Sequence, residues 1–370
     1  MNARPTPAEI LRSNGLPHRR MEDWKYTDVR SVADADSFQV GAHASATISF
    51  SNAIEAAGLE GETIPNWASS AIASLAPSSA MDAAARSYVD FSEVFRVPAG
   101  KRIDVPLRIE YSGRGHGAAA IFVEANASAE IEVVYSATVK GEINTSLLVF
   151  IGEDAHASLT VAAPYARELV LVNTISVAQD RNSQFQAQVV NGGARLSRME
   201  MNVILNGEGA EADLSGVSVL GDEAHADITT RITHASPHTT SRQLFKKVAG
   251  GKSRAIYQGK ISVKEGAIGS DSRQTAKALL LSDRAEADLK PELEILADDV
   301  KCAHGAAVGD LDQESLFYLR SRGIAEDEAR SLLIHAFLQE VVDGIDDEKM
   351  RASALEFIDK GMAWAMIEAS

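Results

Sequence analysis

The chain has 370 residues, 36 Lys plus Arg against 52 Asp plus Glu, a formal net charge of −16 and a single cysteine, Cys302. That balance argues against a nucleic-acid binder, which needs a basic surface to displace the counterions of phosphate. One thiol excludes an internal disulfide, a Cys-rich zinc module and a self-contained iron–sulfur cluster, and it agrees with a reducing, cytoplasmic setting. No stretch approaches the ~18 uninterrupted apolar residues of a membrane-spanning helix, so none is expected.

Residues 1–90 read as a mostly helical, irregular region. Thr6, Pro7 and Glu9 form a capping box with proline at the first helical position, and Asn14-Gly15 stops that helix. A start this prompt leaves little room for a cleaved presequence. The run Glu22-Asp23-Trp24-Lys25-Tyr26-Thr27-Asp28 sets two aromatics among charges, an edge whose rings are expected to dock on a neighbouring element. Ser79 and Asp82 stand at capping spacing before a short helix expected to reach Tyr88.

From 91 to 310 the texture is period-two alternation in short runs such as Ile131–Tyr135, Ala157–Val161 and Met201–Leu205, separated by Gly, Asn and Asp. No helical period lies between them, so a doubly wound sheet is not expected. A pentad, Ala-x-Ala-x-Leu/Ile, recurs with central alanines at 129, 157, 212, 226 and 287. The first three steps lie near multiples of 14 and the last, 61, does not. Self-similarity of this kind signals a stacked β-solenoid, with small residues at tight corners and alternate apolar residues pointing into a shared interior.

Residues 311–370 read as helices. Asp312 caps the first, which ends at Gly323. The second starts near Ala325 behind Glu326, Asp327 and Glu328, and is expected to bury Ala329, Leu332, Leu333, Ala336, Phe337, Leu338 and Val341. A third follows a cap at Asp346 or Asp347. This segment holds 13 acids against 6 Lys plus Arg, which reads either as a solvated face or as a docking module.

Two clusters could carry chemistry. His225, His234 and His238 lie near Asp227, and His225 and Asp227 would share a strand face; the spacing matches no closed metal motif, so a structural role is preferred over a ligand set. The denser run is Asp298 to Gly309, in which Cys302 and His304 are two residues apart and would point the same way from a strand. Thiolate and imidazole suit iron or zinc, but two ligands cannot close a site, and a buried cysteine beside a satisfied histidine is the bland alternative.

Several segments resemble the SufB/SufD family of the SUF iron–sulfur assembly system: Tyr257-Gln258-Gly259-Lys260-Ile261, Lys290-Pro291-Glu292-Leu293-Glu294-Ile295, the Asp298–Gly309 run, Leu316 to Ile324, and Glu22 to Asp28. The resemblance implies a right-handed parallel β-helix core flanked by helical ends. It also implies a non-catalytic scaffold that pairs with SufB, and docking of the ATPase SufC on a C-terminal region including Leu316, Phe317, Tyr318, Arg320, Arg322, Leu333 and Phe337. His304 matches the family histidine thought to hold a nascent iron–sulfur cluster together with a SufB cysteine, and Cys302 matches the cysteine usual in the motif. No cofactor would be held stably by the chain alone, and a homodimer through the same edge is expected in isolation. Gly305 in place of Glu after the histidine, and the lack of cysteine between 91 and 300, point to the SufD side rather than to a SufB-like scaffold. Ala303 and Ala307 stand where Ser and Thr are commoner, which alters the local hydrogen bonds. The rival from another class is a carbohydrate-active enzyme on a β-helix. It fits poorly, because Trp24, Trp67 and Trp364 all lie outside the strand zone.

Overall fold

The computed structural model describes residues 6–34, 36–39, 46–49, 66–87, 94–103, 105–136, 140–345 and 348–367. Among these residues seventeen strands alternate between two sheets. The odd-numbered strands are β1 Ala46–Ser49, β3 Leu107–Tyr111, β5 Ser128–Tyr135, β7 His156–Ala163, β9 Gln184–Asn191, β11 Glu211–Leu220, β13 Thr240–Ala249, β15 Asp271–Leu280 and β17 Lys301–Asp310. The even-numbered ones are β2 Val94–Val97, β4 Gly115–Val123, β6 Gly141–Ile151, β8 Ala166–Gln179, β10 Ala194–Leu205, β12 His225–His234, β14 Arg254–Val263 and β16 Glu286–Ile295. Each strand pairs in parallel with the next of its own sheet, except β1, which joins β3 antiparallel. The chain is a β-solenoid of about eight turns.

The alanine pentads are explained by this winding. Ala129 pairs with Ala157 in the odd sheet, one turn of 28 residues. Ala212 and Ala226 lie on opposite sheets, so their 14-residue step is half a turn. The 61-residue step is two lengthened turns, Ala226 to Ala255 (29 residues) and Ala255 to Ala287 (32). At the corners before three odd strands, Asn126, Asp154 and Asn182 take left-handed φ of 58°, 55° and 53°. Short polar side chains tolerate that conformation, and the small residue that follows, Ala127, Ala155 or Ser183, leaves the turn room. Rungs of backbone hydrogen bonds join successive corners, Asn126 N to Glu153 O and Asp154 N to Arg181 O, both 2.9 Å.

Alternate residues fill one continuous interior from Phe95 to Tyr257, Ala276 and Leu289. The outer faces are covered by the two ends of the chain. Helices α1 (Pro7–Asn14) and α3 (Ala80–Arg86) flank the even sheet with the Glu22–Trp24 turn between them in sequence; α2 is Asn66–Ser74. The Thr6–Glu9 capping box is present, and Ser79 caps α3, which ends at Arg86. Trp24 is buried with Leu11, Val29, Met81 and Val172, so the expected docking of that edge holds.

On the odd sheet lie α5 (Glu326–Asp343) and α6 (Glu348–Ile367), after α4 (Gln313–Ser321), which Asp312 caps as expected. The cap proposed at Asp346 or Asp347 lies outside the described residues. The buried face of α5 is Ala329, Ile334, Leu338, Val341 and Val342, the last four packed with Val217, Val219 and Val248. Leu332 and Ala336, expected inside, are exposed. With Leu332, Leu333 and Ile334 consecutive and apolar, periodicity alone could not choose the stripe. No helix among the described residues is long and apolar enough to cross a membrane.

Candidate functional site

The solenoid ends openly. β16 and β17 are the last strands of their sheets, and among the described residues nothing pairs with their outer edges. Pro291 sits within β16, where a missing N–H is tolerated because the strand is paired on one side only. In the register of β15 with β17, Cys302 is opposite Ser272, His304 opposite Gln274, Ala306 opposite Ala276 and Val308 opposite Ala278. Ser272, Gln274, Ala276 and Ala278 are all buried, so this is the inward face. Cys302 and His304 therefore share it, as their spacing predicts. In β16 the equivalent face carries Leu289, Pro291, Leu293 and Ile295. Among the described residues no further coil covers these side chains. Ile295 is 42% and Val308 47% exposed, and His304 is open to solvent.

Cys302 is half-buried beside Ile261, Val263 and Ala267. Burial, reinforced by the Asp271 carboxylate, pushes its thiol above the ordinary value, so it is protonated at neutral pH. The site thus offers one imidazole and one thiol. Among the described residues no group of three or more His, Cys, Asp or Glu is placed to hold a metal ion.

Behind this face the interior turns polar. Thr230 Oγ1 donates to Gln243 Oε1 at 2.6 Å, the Tyr257 hydroxyl donates to the same oxygen at 3.1 Å, and Gln274 Nε2 donates to the Tyr257 hydroxyl at 2.9 Å. Nearer the corner, buried His234 bonds Thr239 (2.8 Å) and Ser241 (2.9 Å), and Ser241 bonds Ser272 (2.6 Å). Sequence reasoning missed this interior because polar residues in a period-two run read as outward-facing. The available signal was parity: Ser272 and Gln274 share it with Ala276 and Ala278.

The histidine cluster is dispersed. His234 is in the interior, His238 occupies a left-handed corner (φ 55°), and His225 lies on the outer face of the even sheet. His225 and Asp227 do share a face, and both bond the Thr27 hydroxyl. Burial holds His225 and His234 down to about 4, so both are neutral near pH 7. Beside Asp227 the fully buried Arg198 pairs with Asp227 and Glu200, donates to the Asp23 carbonyl and stacks 4.0 Å over the Trp24 ring. This group fastens the N-terminal segment to the solenoid.

The helical residues named from sequence divide in two. Phe317 (74% exposed), Tyr318 (57%), Arg320 and Arg322 face solvent, and Phe317, Tyr318, Leu319 and Leu333 line an open groove beside Asp312. Leu316 is buried, and Leu333 and Phe337 are partly buried against the chain's own odd sheet. Lys246 lies 4.9 Å over the Phe337 ring and pairs with Glu340 at 2.6 Å.

A family model described as the SufBD core domain of SUF system FeS cluster assembly matches residues 111–337, from β3 through most of α5. The chain belongs to the SufBD family. It is 38% identical to the iron–sulfur cluster assembly protein SufD of Escherichia coli over 183 residues, covering 50% of this chain and 43% of that protein. A SufBD family protein of Synechocystis is 32% identical over 197 residues, covering 53% and 44%. One from Mycobacterium bovis is 27% identical over 347 residues, covering 91% and 87%. The stronger matches thus span less than half the length of those relatives. As a SufBD chain it has the solenoid that its alanine repeat implies, and the family match takes in the whole of β17.

Proposed function

We propose that this SufBD chain is a non-catalytic scaffold subunit of an iron–sulfur assembly complex in the cytoplasm. It pairs with SufB through the open last turn and presents His304 as one ligand to a nascent cluster, which is cargo rather than a resident cofactor. The observation that carries the reading is the exposed, edge-unpaired β17, with Cys302 and His304 on its inward face. Clusters usually take four protein ligands, and two donors leave at least two to come from elsewhere. A ten-residue strand with one unpaired edge is also a template for strand addition by a second chain. A partner seated there would supply ligands and close the interior at once. The groove beside Phe317 and Tyr318, in the second turn of the helix that follows β17, supports docking of the ATPase SufC close enough for its motion to strain the last coil.

The test is co-expression with SufB and SufC. A stoichiometric complex is expected. His304→Ala should leave its assembly intact and abolish cluster formation on reconstitution with iron and sulfide. A normal cluster yield from that variant would remove the ligand role.

A further inference from the structure

The hydrogen-bonded chain beneath β17 ends on an unanswered acceptor. The Tyr257 hydroxyl donates to Gln243 Oε1, lies 3.1 Å from Thr230 Oγ1 and accepts from Gln274 Nε2, which turns the Gln274 carboxamide with its oxygen away from Tyr257. Gln274 Oε1 is then left buried with no protein partner, in a residue 1% exposed. Leaving such an oxygen unpaired is unfavourable, so an acceptor in that state is a place where a donor belongs. The arrangement needs Gly259. A Cβ there would lie 1.8 Å from Gln274 Nε2 and 2.6 Å from the Tyr257 hydroxyl. The residue opposite Gln274 in register, on the same inward face, is His304. Neighbouring strands lie about 4.8 Å apart, within reach for a carboxamide and an imidazole on adjacent rungs.

We propose that Gln274 is a positioning residue for His304: when the exposed imidazole turns inward, this open Oε1 accepts one ring N–H and so selects the tautomer whose other ring nitrogen turns its lone pair toward the open end. A metal-ligating histidine commonly donates its second N–H to a fixed acceptor, which sets ring orientation and basicity. Here the acceptor is neutral and is braced by three buried groups, Tyr257, Gln243 and Thr230, while Gly259 keeps the space clear. The purpose of this positioning rests on the reading of His304 as a cluster ligand, but the contact itself is measurable without iron.

The full chain labelled with 15N-histidine gives long-range proton–nitrogen correlations, with His304 assigned by the signal lost in His304→Gln. The wild type should show one neutral tautomer at His304, with one protonated and one unprotonated ring nitrogen. Gln274→Met, nearly isosteric but without the acceptor, should merge these into the averaged positions of exchanging tautomers. A packing role alone would lower the melting temperature and leave the tautomer unchanged. Averaged tautomers in the wild type, or a single tautomer retained in folded Gln274→Met, would overturn the proposal; the wild-type spectrum decides even if the variant does not fold. Cluster yield with His304→Ala is a separate readout, so failure of the ligand role and failure of the Gln274 contact are told apart.

Discussion

Replacing Arg198 by Met should be among the most damaging single changes in the chain. The guanidinium is fully buried between Glu200 (1% exposed) and Asp227 (0%), both of which it pairs at 2.5 Å. Burial pushes the Asp227 carboxyl up, but Arg198 and the Thr27 hydroxyl outweigh it and hold it below the ordinary value. Methionine fills much of the volume yet leaves buried Asp227 without its ion-pair partner and Glu200 with only Arg231, 3.8 Å away. Breaking one partner of a buried pair costs about 3–5 kcal/mol. The lost stacking on Trp24 and the lost bond to the Asp23 carbonyl act in the same direction, by roughly 1 kcal/mol each. These effects overlap, so the expected loss is about 4 kcal/mol, a large share of a typical folding free energy of roughly 5–15 kcal/mol. Urea denaturation at pH 7.5 measures it. Limited proteolysis should also cut between Asn14 and Asp34, where the segment has come off the sheet. Adding Asp227→Asn removes one stranded charge, so the double variant should be more stable than additivity allows by about 1–2 kcal/mol. A loss below about 1 kcal/mol, or strict additivity, would refute the claim that this network fastens the N-terminal segment.

Acid should destabilise the chain well above the carboxylate range. His116, His225 and His234 are each held to about 4 by burial, against roughly 6.5 when unfolded. Between those values the unfolded chain binds more protons, so stability is full above pH 6.5 and falls as pH drops, by about 2 kcal/mol per histidine at pH 5; a urea midpoint flat from pH 7.5 to 5 would contradict this. Leu159→Ala, in the centre of the solenoid and fully buried, should cost about 3 kcal/mol and lower the melting temperature. Phe317→Ala with Tyr318→Ala should leave the urea midpoint nearly unchanged, since both are exposed, while lowering retention of SufC in a pull-down. Undiminished retention would move the docking surface elsewhere.

The winding was legible because its signal is local. Alternation marks strands, and Ala-x-Ala after Asn126 or Asp154 marks corners, each within a few residues. The departure at 61 came from turns that lengthen toward the open end, something only the pairing of Ala255 with Ala287 reveals. The shared face of Cys302 and His304 follows from a spacing of two on any strand. Gln274 could not be tied to His304 in this way. The two are 30 residues apart, and their adjacency depends on the length of the intervening turn. Arg198 is similar: its partners are Asp23, Glu200 and Asp227, brought together by strand stacking and by a segment about 175 residues away. The α5 stripe was misjudged for a different reason. Its sequence is apolar on more than one face, and contact with the odd sheet makes the choice.

The central claim is that this chain holds half a site. The direct measurement is anaerobic reconstitution with iron and sulfide, followed by absorbance in the cluster region, of the chain alone and of the chain with SufB and SufC. Negligible cluster on the isolated chain and a full yield in the complex, lost with His304→Ala, is the predicted result. A stable, stoichiometric cluster on the isolated chain would contradict it.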